Sequence, residues 1–212
     1  MKIVIFGAGG RAGRHAVAEA VARGHEVTAV VRSPKRYAAP DGVTVLAGDV
    51  TDADSVASAA SGHDAAISAA YASELASGEF FPAAARALVA GLGRAGVARL
   101  VVVGIGSMLR DGSGVVLHDA PGVPAEHRDF SLGHVAEFEI LRACDLDWLV
   151  VAPPPTFLDD EAARTGRYRT ADGVVIPAPG DAALFPYADL AVALVDEAET
   201  PEHSRILLAV GH

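Results

Sequence analysis

Short, nearly continuous apolar runs alternate along this chain with longer stretches that mix alanine with charged residues, and the two patterns predict different elements. The apolar runs at 2–6, 26–31, 43–47, 64–68, 100–104 and 147–151 have strand length and no alternation, so they read as strands buried on both faces. Between them, an alanine-rich stretch from Gly13 to Arg23, a segment from Thr51 to about Ala60, a helix over 80–94 broken by Gly96, and a helix from Pro124 to about Ala143 carry helical spacing. Pro153, Pro154 and Pro155 stop the sixth strand. Beyond Thr156 the pattern changes to extended pieces at 168–170 and 174–176, a helix over 188–197 and a last strand at 206–210. Strict alternation of strand and helix implies right-handed crossovers and a mainly parallel, doubly wound α/β sheet. Ligands bind such a sheet at the carboxyl ends of its strands.

The junction after the first strand is the most specific local signal. Gly7-Ala8-Gly9-Gly10-Arg11-Ala12-Gly13 leads straight from an apolar strand into a helix. Gly7 suits the tight turn, Gly10 lets the main chain approach a pyrophosphate, and Gly13 allows close packing of helix on strand. Amides of the helix's first turn would face the phosphates. A glycine-rich turn of purely conformational origin is the competing reading. The whole chain, 1–212, is expected to be one NAD(P)-binding Rossmann domain with a small C-terminal cap, its substrate-pocket elements lying mainly in 105–125 and 156–190.

Composition narrows the classes. A hydrophobic fraction of 51% with only 6% aromatic residues describes a core of Ala, Val and Leu, as a helix-covered parallel sheet needs. The net charge of −10 argues against a nucleic-acid partner, and the tight basic cluster Arg32, Lys35 and Arg36 is large enough for one phosphate group only. The uncharged run from Leu100 to Leu109 falls well short of the roughly 18–20 residues of a membrane span. No secretory pattern precedes the first strand, and the single Cys144 cannot form an internal disulfide, so a cytoplasmic monomer or homodimer is expected. No group of side chains has convincing metal-ligand spacing.

Nineteen residues beyond Gly13, where an NAD enzyme carries a carboxylate for the adenosine ribose, stands Arg32. This favours NADPH: Arg32, Ser33, Lys35 and Arg36, with Arg11 from the glycine turn, could surround a 2′-phosphate. An ordinary solvated turn is the alternative. Asp49 and Val50 fall where adenine would lie, although Asp49 could equally complement the dipole of the next helix. Gly9, Ala12 and Ser68, at the strand ends flanking the same crevice, complete the expected nucleotide contacts.

The Gly7-x-x-Gly10-x-x-Gly13 spacing, Val31-Arg32-Ser33-Pro34, Gly48-Asp49-Val50-Thr51-Asp52, Asp145-Leu146-Asp147-Trp148, Arg164-Thr165-Gly166-Arg167-Tyr168-Arg169 and Tyr187-Ala188-Asp189-Leu190-Ala191 together resemble the atypical short-chain dehydrogenase/reductase families. The similarity is closest to the NAD(P)H-binding group that includes biliverdin reductase B/flavin reductase and the NmrA-like proteins. It implies a nicotinamide near Ser107 and Pro153. The larger family pairs a tyrosine with a lysine four residues on, whereas Tyr37, Tyr71, Tyr168 and Tyr187 are followed at that distance by Asp41, Leu75, Asp172 and Ala191. Where related small bacterial members carry Pro-Ala-Glu-Tyr-Lys, this chain reads Pro124-Ala125-Glu126-His127-Arg128. His127 is therefore the leading candidate proton donor, with His118 and His134 in competition and Ser107 as a group that could orient a substrate oxygen.

These features predict an NADPH-dependent oxidoreductase that transfers hydride to a small organic acceptor such as a flavin, a quinone or an activated carbonyl. A non-catalytic NADP sensor of the NmrA type, and an isomerase, epimerase or dehydratase with a recycled or structural cofactor, are the alternatives.

Overall fold

A computed structural model describes residues 1–178 and 184–212. In chain order its main elements are β1 (Lys2–Phe6), α1 (Arg11–Ala22), β2 (Glu26–Val31), β3 (Thr44–Ala47), α2 (Ala53–Ala60), β4 (Ala65–Ser68) and α3 (Ser77–Ala95). There follow β5 (Arg99–Val103), α4 (Ala125–Arg142), β6 (Asp147–Ala152), β7 (Arg169–Asp172), α5 (Tyr187–Glu199) and β8 (Leu207–Gly211). The strands form one sheet in the order β3-β2-β1-β4-β5-β6-β8-β7, and every neighbouring pair is parallel except β7 with β8.

The continuous apolar runs have a direct cause in this arrangement. Along β1, Ile3 and Ile5 enter a core shared with Ala16, Val17 and Ala20 of α1 and Leu190, Ala193 and Leu194 of α5. Val4 and Phe6 point the other way, into a core with Val56 of α2, Leu88 and Leu92 of α3, and Trp148 of β6. Since successive side chains leave a strand on opposite faces, a strand covered by helices on both sides can have no polar alternate positions. Each such Ile, Leu or Phe contributes about 1.5–3 kcal/mol by leaving water.

Topology places the crevice. The chain steps outward from β1 to β2 and β3, then returns to lay β4 on the other side of β1, so crossovers diverge at the β1/β4 junction and leave the carboxyl ends of both strands uncovered. One helix begins earlier than its apolar run suggests: α3 starts at Ser77, and the amides of Glu79 and Phe80 both bond to the Ala76 carbonyl.

The C-terminal segment divides between sheet and cap. Of the two extended pieces expected at 168–170 and 174–176, only the first becomes a strand, β7, which pairs antiparallel with β8 and ends where Gly173 takes a φ of +61°. Val174 retains only an isolated bridge to Arg110. Helix α5 packs beside α1 beneath the sheet, leaving the stretch that follows Pro153 to lie over the strand ends. Part of the expected cap, 179–183, falls outside the described residues.

Candidate functional site

The strand ends open into a cavity of about 1280 Å³ that runs continuously from the glycine turn to the start of α4. Its end at the glycine turn is built by backbone. Gly7 leaves β1 with a φ of +73°, and a Cβ there would lie 2.5 Å from the Ala70 Cα. Gly13 does not line the cavity; a Cβ on it would collide with the Gly7 carbonyl oxygen, so this glycine holds α1 against the turn. Gly10 is different. It is the N-cap of α1 at ordinary angles (φ −77°, ψ 171°), and a Cβ there would meet protein atoms no closer than 3.4 Å. Among the described residues no side chain caps α1, and Gly9, Gly10, Arg11 and Ala12 face the cavity, so its first-turn amides open onto it.

Arg32, Ser33 and Arg36 line the neighbouring wall, whereas Lys35 does not. The structure adds a partner that sequence spacing could not reveal: the Arg32 guanidinium forms an ion pair with Glu74, on the loop after β4. Asp49 lines the same wall. Its carboxylate accepts hydrogen bonds from the Thr51 hydroxyl (2.7 Å) and the Thr51 amide (2.9 Å), which, with the nearby Arg32 charge, hold its pKa below the ordinary carboxylate value. Capping of α2 belongs instead to Asp52, which accepts from the Asp54 amide at 2.9 Å. Val50 lies on the wall beside Asp49, while Ser68 is buried within β4 and does not reach the cavity.

The other end is made of side chains. Tyr71, Phe81 and Phe130 form an aromatic wall, Tyr71 stacking on Phe81 with centroids 6.0 Å apart and meeting Phe130 edge-on at 5.5 Å. Ser107 sits in the short 3₁₀ turn Gly106–Met108, opposite Ser131 of α4 at 2.7 Å. Because the Ser131 hydroxyl donates to the His127 carbonyl at 2.8 Å, the Ser107 hydroxyl, which lines the cavity, donates to Ser131. His118 donates from Nδ1 to the Ser107 carbonyl at 3.0 Å and so anchors this turn. Pro153 closes the floor.

His127 reaches the cavity at its mouth, with its side chain 72% exposed. Arg128 does not line the cavity and is paired with Asp119 at 2.7 Å. Deeper along the same face of α4, one and two turns beyond His127, come Ser131 and His134; the latter lines the cavity and bonds Glu137 through Nδ1 at 2.9 Å. Of these deeper groups sequence reasoning singled out only His134, as a competitor of His127. The spacing 127, 131, 134 was the available signal, since residues four and seven apart share a helix face. Among the described residues, no group of three or more His, Cys, Asp or Glu side chains is placed to hold a metal, and no helix is long and apolar enough to cross a membrane.

A family model described as NAD(P)H-binding matches residues 7–201. The chain is similar to YwnB of Bacillus subtilis, an uncharacterised protein, with 36% identity over 207 residues that cover 96% of this chain and 94% of that one. It resembles the crystal structure of a candidate exported protein from Burkholderia pseudomallei with a TM-score of 0.86, 35% identity and full coverage of both chains. A candidate NADH-flavin reductase from Streptococcus pneumoniae matches with a TM-score of 0.81 and 30% identity over 99% of this chain and 98% of that one.

Proposed function

Because the chain belongs to the NAD(P)H-binding family, we propose that it is an NADPH-dependent oxidoreductase reducing a small organic acceptor such as a flavin, a quinone or an activated carbonyl. The observation that carries this reading is the continuity of the cavity: an uncapped helix N-terminus and an arginine lie at one end, and an aromatic wall with hydroxyl and imidazole groups lies at the other. The residues fit the cofactor, since open first-turn amides suit a pyrophosphate and Gly10 leaves the approach to them clear. When bound, the dinucleotide supplies the hydride.

The chain's own contribution is positioning. Gly9, Gly10, Arg11 and Ala12 hold phosphate, Arg32, Ser33 and Arg36 take the 2′-phosphate, and Asp49 and Val50 flank the adenine. Ser107 and Pro153 border the place where reaction occurs, with His127 at its mouth and the aromatic wall excluding water from a flat acceptor. The S. pneumoniae relative's description as a candidate flavin reductase supports an acceptor of that shape. The buried, unpaired Cys144 suits a cytoplasmic setting.

The test has two parts. Titration at fixed ionic strength should show tighter binding of NADPH than NADH, and anaerobic mixing with flavin, quinone and carbonyl acceptors should consume NADPH catalytically. Binding without turnover on a broad panel would favour the sensor reading, which the exposure of His127 and the engagement of Arg128 by Asp119 also support.

A further inference from the structure

His134 is 5% exposed, Glu137 is 4% exposed, and their hydrogen bond joins two residues of one helix. It therefore ties no two elements together. Local pairs at this spacing stabilise a helix only slightly, and burying two ionisable groups opposes even that. What the bond does fix is the imidazole. Glu137 accepts from Nδ1, which leaves Nε2 as the working nitrogen; among the described residues the ring's hydrogen bond runs through Nδ1 alone. Phe81, with its ring centroid 3.7 Å away, and Phe130, edge-on at 5.3 Å, clamp the ring in this orientation. The histidine lines the cavity while the glutamate stands behind it, outside the lining.

We propose that His134 is the proton donor to the reduced acceptor and that Glu137 is its positioning residue. The inference rests on the oxidoreductase reading and adds to it the source of the proton. As a quinone or carbonyl acceptor gains hydride, negative charge develops on its oxygen; the Nε2–H bond of the imidazolium breaks as the new O–H bond forms, and solvent entering past His127 restores the proton. Acceptor, NADPH and one proton thus give reduced acceptor and NADP⁺. Tyr71, His118 and His127 are the other titratable groups lining this end of the cavity. Among the described residues, none of them has a buried carboxylate as hydrogen-bond partner: His118 is bonded to a backbone carbonyl, and the carboxylate nearest His127 is exposed.

The decisive variant is His134→Asn, whose amide can still donate to Glu137 from the position of Nδ1 but offers nothing in place of Nε2. In single-turnover oxidation of bound NADPH by a quinone, it should slow the reaction by about 10²–10³-fold, with NADPH affinity within about twofold of the parent and partial rescue by added imidazole. Glu137→Gln should lower kcat by about tenfold with little change in KM. A second readout needs no turnover: in ¹⁵N spectra of histidine-labelled, cofactor-free protein followed as pH is raised, His134 should lose its Nε2 proton and keep the one on Nδ1, and that preference should be lost in Glu137→Gln. Rates for folded His134→Asn within threefold of the parent would overturn the proposal, as would an Nε2–H tautomer in the parent. Absence of turnover by the parent on every acceptor would instead defeat the oxidoreductase reading on which it rests, and the proposal with it.

Discussion

Gly10 offers the sharpest test of the nucleotide site, because the structure separates its role from those of its neighbours. Replacing Gly10 with valine asks little of the fold: its φ and ψ suit any residue, and the first added carbon would touch the Gly7 carbonyl oxygen at 3.4 Å and the Ala69 oxygen at 3.8 Å, ordinary contacts. Removing glycine also restricts the unfolded chain, a gain of about 0.4–1 kcal/mol where the conformation is compatible, which offsets some crowding by the branched methyls. Those methyls would occupy the mouth of α1, where a pyrophosphate must approach the amides. Loss of one or two charge-assisted hydrogen bonds costs about 2–4 kcal/mol, which is about 30- to 1000-fold in Kd. Calorimetric titration with NADPH measures the loss, and thermal unfolding without ligand supplies the control. Gly13→Ala should do the reverse and damage the fold, since its Cβ would strike the Gly7 carbonyl. A folded Gly10→Val protein that binds NADPH with parental affinity would refute the phosphate site, whatever its activity.

Other perturbations probe different links. Arg32→Glu should invert the preference between NADPH and NADH. Glu74→Gln should tighten NADPH binding by less than about fivefold, because the Arg32–Glu74 pair it removes is solvent-exposed and such pairs contribute about 0–1 kcal/mol; an unchanged cofactor ratio in both variants would dismiss the basic wall. Glu19, which accepts from both Arg164 Nε and a terminal guanidinium nitrogen at 2.8 Å and also binds Arg23, has its pKa lowered mainly by the Arg164 hydrogen bond. A lowered folded pKa means stability that is full above the unfolded value of about 4.5 and fades as pH falls through the folded one, so Glu19→Gln should flatten the acid limb of Tm against pH; an identical limb would remove Glu19 as its source. His127→Phe should slow quinone reduction less than tenfold, and a loss as large as that expected for His134→Asn would move the proton donor to the mouth.

How much of this was legible in the chain depended on whether the cause was local. Continuous runs such as Ile3-Val4-Ile5-Phe6 announce a strand covered on both faces, and the alternation with helices limits the topology, so the doubly wound sheet followed from pattern. The glycine turn was equally readable, because φ requirements and helix starts are properties of a few adjacent residues. Even there, Gly13 packs against Gly7 without reaching the cavity, and Ser68 stays inside β4, distinctions that depend on which side of a strand end faces the crevice. Glu74 was silent. Its pairing with Arg32 joins the loop after β4 to the end of β2 across β1, and nothing in Glu74's own neighbourhood marks it. The aromatic wall was silent for the same reason, since Tyr71, Phe81 and Phe130 come from three segments and each reads alone as an ordinary apolar residue.

The two ends of the cavity obey opposite rules, which explains why a missing Tyr and Lys need not empty the site of chemistry. At the nucleotide end, the proposed function depends on side chains being absent: main-chain amides would hold the phosphates, and a side chain at Gly10 would stand in their way. At the acceptor end, function depends on side chains that three elements bring together, so one acid can replace another wherever helix and wall point the replacement inward. Helix α4 provides such positions at successive turns of one face, from the exposed His127 through Ser131 to the buried His134. A proton donor at the inner position has what the mouth lacks, a fixed tautomer and shelter from water. In that environment a charge-assisted hydrogen bond to a developing oxyanion is strongest, because little solvent competes for the same oxygen.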